Sequence, residues 1–180
     1  TQIPEKVNNE FKVINLIEGY RSRGHLFTKT NPVRIRRQYL PTLDIKNFNL
    51  DDKDLDDVFD AGNRIGIGPS KLKDIIRFLE ITYCSSIGTE FMFIRDPIIM
   101  QWLLHKIEPN QNTPSFTKDQ KIQIFKKLNH AVSFEQFLHT KYVGQKRFSL
   151  QGCETLIPAL DAVIEIGASI GIEDFVIGMA

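Results

Sequence analysis

The residues that first suggest chemistry lie in Lys141-Tyr-Val-Gly-Gln-Lys-Arg-Phe-Ser-Leu150, a short connector with a basic pair, Lys146 and Arg147, at its centre. A long apolar helix is expected after it, and then a five-residue apolar strand, Phe175 to Met179. In an open α/β sheet, ligands collect at the carboxyl ends of strands and in the loops leaving them. Chemistry is therefore expected where the strand ends, and the chain reads as a piece cut at that point.

Other candidate groups reduce to structure. Asp51-Asp-Lys-Asp-Leu-Asp-Asp57 has the carboxylates of a calcium loop but no glycine at its sixth position and no acidic residue at its twelfth. It reads as a helix start with acids in the first turn and Leu55, Val58 and Phe59 facing inward. The glycines of Gly62-Asn-Arg-Ile-Gly-Ile-Gly-Pro69 have neither dinucleotide-fingerprint nor P-loop spacing, so this is a loop. Arg34-Ile-Arg-Arg37 is the densest basic cluster, yet only Tyr39 lies near it as an aromatic platform, which argues against nucleic acid. His25, His105, His130 and His139 are scattered without ligand spacing. There is no Ser/His/Asp order, no Gly-x-Ser-x-Gly elbow and no His-Glu-x-x-His.

Composition agrees with this. The 180 residues are 42% hydrophobic and 25% charged, enough to bury a core, and the net charge of +1 gives no bulk pull toward nucleic acid or an anionic membrane. Cys84 and Cys153 read as free thiols of a reducing compartment. No apolar run approaches the roughly 18 residues a membrane span requires. The start, Thr1-Gln-Ile-Pro4, has no features of a secretory signal.

The elements that must position these residues are mostly helices. Periodicity predicts one over 5–22, its stripe Val7, Phe11, Ile14, Ile17 and Tyr20 or Arg21, with Gly24 as a left-handed cap. Arg21, Arg23 and His25 near its end read as solvated partners of the helix dipole, with an anion or partner contact as the alternative. Residues 26–49 read as an extended connection. Ser70 is placed to cap a second helix with the stripe Leu72, Ile75, Ile76, Leu79 and Tyr83, broken at Ser85–Gly88. Glu90-Phe-Met-Phe-Ile94 reads as a strand or a buried turn. Pro97 opens a third helix with Ile98, Trp102 and Leu103 inward, Trp102 as a core anchor, and His105–Glu108 at its end. Two capping boxes, Thr117–Gln120 and Ser133–Gln136, predict two helices in quick succession. Leu156, Ile157, Leu160, Val163 and Ile164 predict a last helix with Pro158 early in it and Gly167 and Gly171 loosening its end.

Four stretches together resemble one family. They are Tyr20-Arg-Ser-Arg-Gly-His-Leu26, Tyr83-Cys-Ser-Ser-Ile-Gly-Thr-Glu-Phe-Met92, Phe137 to Leu150 (Phe-Leu-His-Thr-Lys-Tyr-Val-Gly-Gln-Lys-Arg-Phe-Ser-Leu), and Leu156-Ile-Pro-Ala-Leu-Asp161 with Val176-Ile-Gly-Met-Ala180. In this order they resemble the thiamine-dependent decarboxylase component of the 2-oxoglutarate dehydrogenase complex, from about residue 10 onward. The family usually has Glu-Gly-Gly-Glu where this chain has Gln151-Gly-Cys-Glu154, so one carboxylate is lost and one glycine replaced.

The resemblance implies a fold that is mainly α, running into the start of an α/β thiamine-diphosphate-binding domain. Residues 1–140 would be a helical amino-terminal region and 141–180 the truncated beginning of the catalytic domain. It implies a parent oxidoreductase of the citric acid cycle that decarboxylates 2-oxoglutarate and passes the succinyl group to a lipoyl arm. Thiamine diphosphate and magnesium would be its cofactors. Its partners would be a second copy of the subunit and the lipoyl-bearing succinyltransferase, in a bacterial cytoplasm or a mitochondrial matrix. The family's active-site His-Arg-Gly-Arg segment would begin after Ala180, and the thiamine motif lies further on. No catalytic, cofactor or metal residue carries over, so this segment alone is expected to be inactive. Arg147, Ser149 and Met179 are placed nearest the substrate pocket by their adjacency to that segment. A helical scaffold or interaction module without catalysis is the alternative.

Overall fold

The computed structural model describes residues 4–31, 33 and 42–178. The chain is mainly α, with five α-helices and one two-stranded sheet among the described residues. It divides into two compact units, Thr1–Pro114 and Ser115–Ala180. The cluster Arg34–Arg37 and Met179 lie outside the described residues.

In the first unit, helix α1 (Glu5–Arg23) buries Val13, Leu16, Ile17 and Tyr20. These stand at i, i+3, i+4 and i+7, the spacing of one helix face. The stripe expected from Val7 onward is therefore corrected: Val7 and Phe11 are exposed and Ile14 only half-buried, because the core meets only the second half of the helix. Gly24 is not a left-handed cap. Its φ is −57°, and the chain tightens there into a 3-10 turn, Gly24–Phe27. What requires glycine is closeness, since a Cβ at this position would lie 2.5 Å from the Cβ of Tyr83.

The acidic run forms a 3-10 turn, Asp52–Asp56, with Asp51 and Asp54 capping each other reciprocally. Leu55 is half-buried and Phe59 buried, but Val58 is exposed. The reason is that Val58 and Phe59 form strand β1, and neighbouring residues of a strand face opposite ways. β1 pairs antiparallel with β2 (Ser70–Lys71) in the register Val58↔Lys71 and Phe59↔Ser70. Between them the glycine loop holds a 3-10 turn, Asp60–Ile65, which ends on left-handed Gly66 at φ 80°.

Helix α2 (Leu72–Cys84) buries Leu72, Ile75, Leu79 and Tyr83 as expected, and also Phe78 and Thr82, while Ile76 of the expected stripe is only half-buried. Ser70 does not cap it. Its hydroxyl donates back to the carbonyls of Ile67 and Gly68, and its backbone pairs in the small sheet instead. Glu90–Ile94 is a turn with Phe91 buried. Helix α3 (Pro97–Ile107) starts under the Asp96 carboxylate, which accepts from Ile98 N at 2.8 Å. Its inward face is Met100, Leu103, Leu104 and Ile107. Ile98 and Trp102 point outward, contrary to expectation, with Trp102 58% exposed and Lys106 Nζ over its ring at 5.6 Å. Residues 98 and 102 sit about 200° from 100 and 104 on the helical wheel, so the two pairs cannot share a face.

In the second unit, a single 24-residue helix, α4 (Lys118–Lys141), replaces the two expected. Its first capping box is present: Gln120 N donates to Thr117 Oγ1 at 3.2 Å and Thr117 N to Gln120 Oε1 at 2.9 Å. The second box never forms. Asn129-His-Ala-Val132 contains neither glycine nor proline, so nothing takes Ser133 out of helical conformation. Helix α5 (Leu156–Ser169) follows, with Pro158 in its first turn and left-handed Gly171 just beyond its end. Residues 175–178 form no strand. A strand needs a neighbour for its N–H and C=O groups, and none lies beside this segment among the described residues. Among the described residues of this unit only Gly167 is fully buried.

Candidate functional site

The first two family-like stretches come together in unit one. Arg21 is the centre of that meeting. Its Nε and Nη2 donate to the two carboxylate oxygens of Glu108, at 2.8 and 2.9 Å. Its Nη1 donates to Glu18 at 2.8 Å and its Nη2 also to the Arg64 carbonyl at 3.1 Å. Tyr83 Oη donates to Glu108 Oε1 at 2.7 Å. Arg21 is only 6% exposed and Glu108 5%, so the arginine expected in solvent is buried in a bidentate pair.

Burial opposes the charge on Arg21, but its hydrogen bond to Glu108, then the charges of Glu108 and Glu18, outweigh that and hold its pKa above the usual value. Burial, then the charge of and hydrogen bond to Glu108, push the Tyr83 phenol upward. The guanidinium therefore stays charged and the phenol neutral. The carboxylate already accepts three hydrogen bonds and the guanidinium donates to three residues. This is a tie between α1, α2 and the end of α3, saturated by its own members.

Around it the backbone is drawn close. Tyr83 lies against Gly24, and a Cβ on Gly88 would lie 3.3 Å from Thr28 Oγ1. His25 Nε2 is 4.0 Å from a Glu90 carboxylate oxygen. Glu10 reaches from α1 to accept from the backbone N–H groups of Asp60 and Ala61, at 2.8 and 2.9 Å, and so caps a turn that has no side-chain cap of its own. A recess of about 530 Å³ opens nearby, lined by Tyr20, Lys29, Glu80 and Cys84 among others; Arg147 and Ser149 are not among them.

Sequence reasoning missed Glu108 and Glu10 in these roles. One signal was available for Glu108: a carboxylate at a helix carboxyl end opposes the helix dipole, which implies a cation elsewhere.

In unit two, the connector turns back on α4. The turn passes through left-handed Gly144, with Gln145 N donating to the Tyr142 carbonyl at 3.4 Å. Leu150 N then donates to Glu135 Oε1 at 2.6 Å. Arg147 Nη2 lies 3.5 Å from His139 Nδ1, and the Ser149 hydroxyl accepts from Gln151 N at 3.3 Å. Both Arg147 and Ser149 are exposed, three and one residues before the anchored amide. Lys127 pairs with Asp161, tying α4 to α5.

Among the described residues no three His, Cys, Asp or Glu side chains converge as a metal site. They offer no such carboxylate set for the magnesium of a bound diphosphate. Both cysteines are free thiols, Cys84 half-buried and Cys153 exposed. No helix of the described residues is long and apolar enough to cross a membrane.

Comparison with known proteins gives a consistent answer. The chain is 43% identical over 171 residues to the multifunctional 2-oxoglutarate metabolism enzyme of Mycolicibacterium vanbaalenii, a match covering 93% of this chain and 14% of that protein. It is 40% identical over 178 residues to the 2-oxoglutarate dehydrogenase E1/E2 component of Corynebacterium glutamicum, covering 96% of this chain and 14% of that one. Against the 2-oxoglutarate dehydrogenase E1 component of Cupriavidus necator it is 41% identical over 167 residues, covering 92% of this chain and 18% of that one. The chain thus spans less than a fifth of the length of the curated relatives it matches. No family model matches it.

Proposed function

We propose, from the premise that this chain is homologous over nearly all its length to 2-oxoglutarate dehydrogenase E1 components, that it is a segment of a subunit with that activity. The parent is a thiamine-dependent enzyme that oxidatively decarboxylates 2-oxoglutarate and passes the succinyl group to a lipoyl arm. The observation that carries this reading is the near-complete coverage of the chain at 34–43% identity across five relatives.

The parts assigned here are supporting ones. Residues 1–140 are the helical amino-terminal region and 141–180 the beginning of the catalytic domain. The Arg21–Glu108 tie gives the helical region rigidity. Arg147, Ser149 and Met179 lie nearest the substrate pocket, beside the His-Arg-Gly-Arg segment that follows in the family. Thiamine diphosphate and magnesium are held by other parts of the subunit and of its second copy, and the cofactor supplies the electron sink. The succinyl acceptor is the lipoyl-bearing succinyltransferase. The working compartment is a reducing one, a bacterial cytoplasm or a mitochondrial matrix.

The surface of unit two supports a larger parent. Phe125, Phe134, Phe137, Val163 and Ile166 are exposed, and Phe148 is 89% exposed. So much apolar surface on two helices and a connector is the mark of a covered face.

The test is carbon dioxide release from 2-oxoglutarate with thiamine diphosphate and magnesium. The full-length subunit releases it and this segment alone does not. A full-length subunit without turnover overturns the reading. It would leave the alternative of a helical scaffold, which the saturated Arg21 cluster favours and which a stable partner in a pull-down would then establish.

A further inference from the structure

The connector between α4 and α5 is held by α4 itself. Glu135 and His139 stand one turn apart on the same face of that helix. The half-buried Glu135 carboxylate accepts the Leu150 amide at 2.6 Å, across 15 residues of sequence. The carbonyl of Leu150 accepts Cys153 N at 2.7 Å, so both backbone polar groups of Leu150 are held. His139 Nδ1 meets Arg147 Nη2 at 3.5 Å. Between these two contacts lie only Phe148 and Ser149, and left-handed Gly144 has already reversed the chain. An ionised carboxylate accepting a backbone N–H makes a short, charge-assisted bond that a longer-range contact cannot imitate.

We propose that Glu135 is a positioning residue for the parent reaction. Through the Leu150 amide it fixes the path of Arg147–Ser149, so that this basic and hydroxylic stretch is presented to the anionic 2-oxo acid in one conformation. His139 sets the direction of the Arg147 side chain. Glu135 itself touches no reacting atom. The role rests on the proposed function above, which placed Arg147 and Ser149 near the substrate.

The experiment uses the full-length subunit with thiamine diphosphate, magnesium and 2-oxoglutarate, in wild-type, Glu135→Ala and Glu135→Gln forms. Glu135→Ala lowers kcat/KM by roughly tenfold or more, chiefly through KM, with the thermal midpoint unchanged. Glu135→Gln keeps an acceptor oxygen and recovers most of the loss. Hydrogen exchange of the peptide containing Leu150 speeds up in Glu135→Ala and stays near wild type in Glu135→Gln. A competent wild type with unchanged Glu135→Ala kinetics overturns the positioning role alone. So does a loss that follows the thermal midpoint downward and is not rescued by glutamine, because that marks mere destabilisation. A wild-type subunit that releases no carbon dioxide overturns the parent function, and this role with it.

Discussion

Arg21 and Glu108 stand 87 residues apart in sequence and meet as a bidentate pair, with guanidinium Nε and Nη2 at 2.8 and 2.9 Å from the two oxygens of one carboxylate. Removing one member of a buried pair leaves the other charge uncompensated, a cost of about 3–5 kcal/mol. Arg21→Met and Glu108→Gln should each lose stability on that scale in denaturant unfolding. The double variant Arg21→Met with Glu108→Leu should recover part of it, because neither charge is then left buried alone. Tyr83→Phe removes one hydrogen bond to a charged acceptor and should cost about 1.5–3 kcal/mol. If the three single variants unfold at wild-type denaturant concentrations, the cluster is not a stabilising tie.

Two glycines of the first unit should fail differently when replaced. Gly24 has an ordinary helical φ but no room, with a Cβ falling 2.5 Å from that of Tyr83. Gly66 has room but a φ of 80°. Gly24→Ala and Gly24→Asn should both destabilise through overpacking, by about 1–3 kcal/mol. At Gly66, alanine should cost about 1–2 kcal/mol while asparagine, which tolerates the left-handed region, costs less. Unfolding midpoints for the four variants separate the two causes.

Asp56 accepts from Lys73 Nζ at 2.6 Å and Lys71 Nζ at 3.0 Å. The hydrogen bond from Lys73, then that from Lys71, hold its carboxyl below the usual value. Its folded pKa is thus lower than in the unfolded chain. The stabilisation is complete above the unfolded value of about 3.9 and is lost as the pH falls through the lowered one. An NMR titration should place the Asp56 midpoint below ordinary aspartates. Lys73→Met should move it back up, and salt should narrow the difference, since these groups are exposed.

The two thiols should separate by reactivity. Burial, then the nearby charge of Glu80, push Cys84 up to about 11, with Lys29 acting the other way. Alkylation at pH 8 should label Cys153 first, and Cys84 should gain rate only as the pH climbs toward about 11. Because the folded pKa is the higher one, the stability linked to Cys84 is full below the unfolded value of about 8.5 and is lost as the pH rises through about 11. Equal labelling of both thiols at pH 8 would contradict the burial of Cys84.

How much of this was legible in the sequence differs from element to element. The α2 stripe was, except at half-buried Ile76, because Leu72, Ile75, Leu79 and Tyr83 repeat at helical spacing and are buried. The Thr117–Gln120 cap was, because its two bonds are local. Trp102 was misread because hydrophobicity gives no direction, and the α3 face is chosen by what packs against it. The Ser133–Gln136 box was misread because a cap pattern cannot stop a helix that lacks a breaker. Arg21 was misread for a related reason: its partner lies 87 residues away, and no local pattern carries that information. The strand expected over 175–179 depended in the same way on a neighbour, and the described residues hold none for it.

The distribution of buried side chains also sets a schedule for synthesis. The core of the first unit draws on residues from Val13 to Leu104, and its last buried member, Glu108, closes onto Arg21 and Tyr83. A chain emerging amino end first holds Arg21 with only its local partner Glu18, and without its bidentate one, until Glu108 clears the ribosome. From that moment every buried residue described for the first unit has been made. The α4 and α5 helices emerge afterwards, with Phe125, Phe134, Phe137, Val163 and Ile166 exposed.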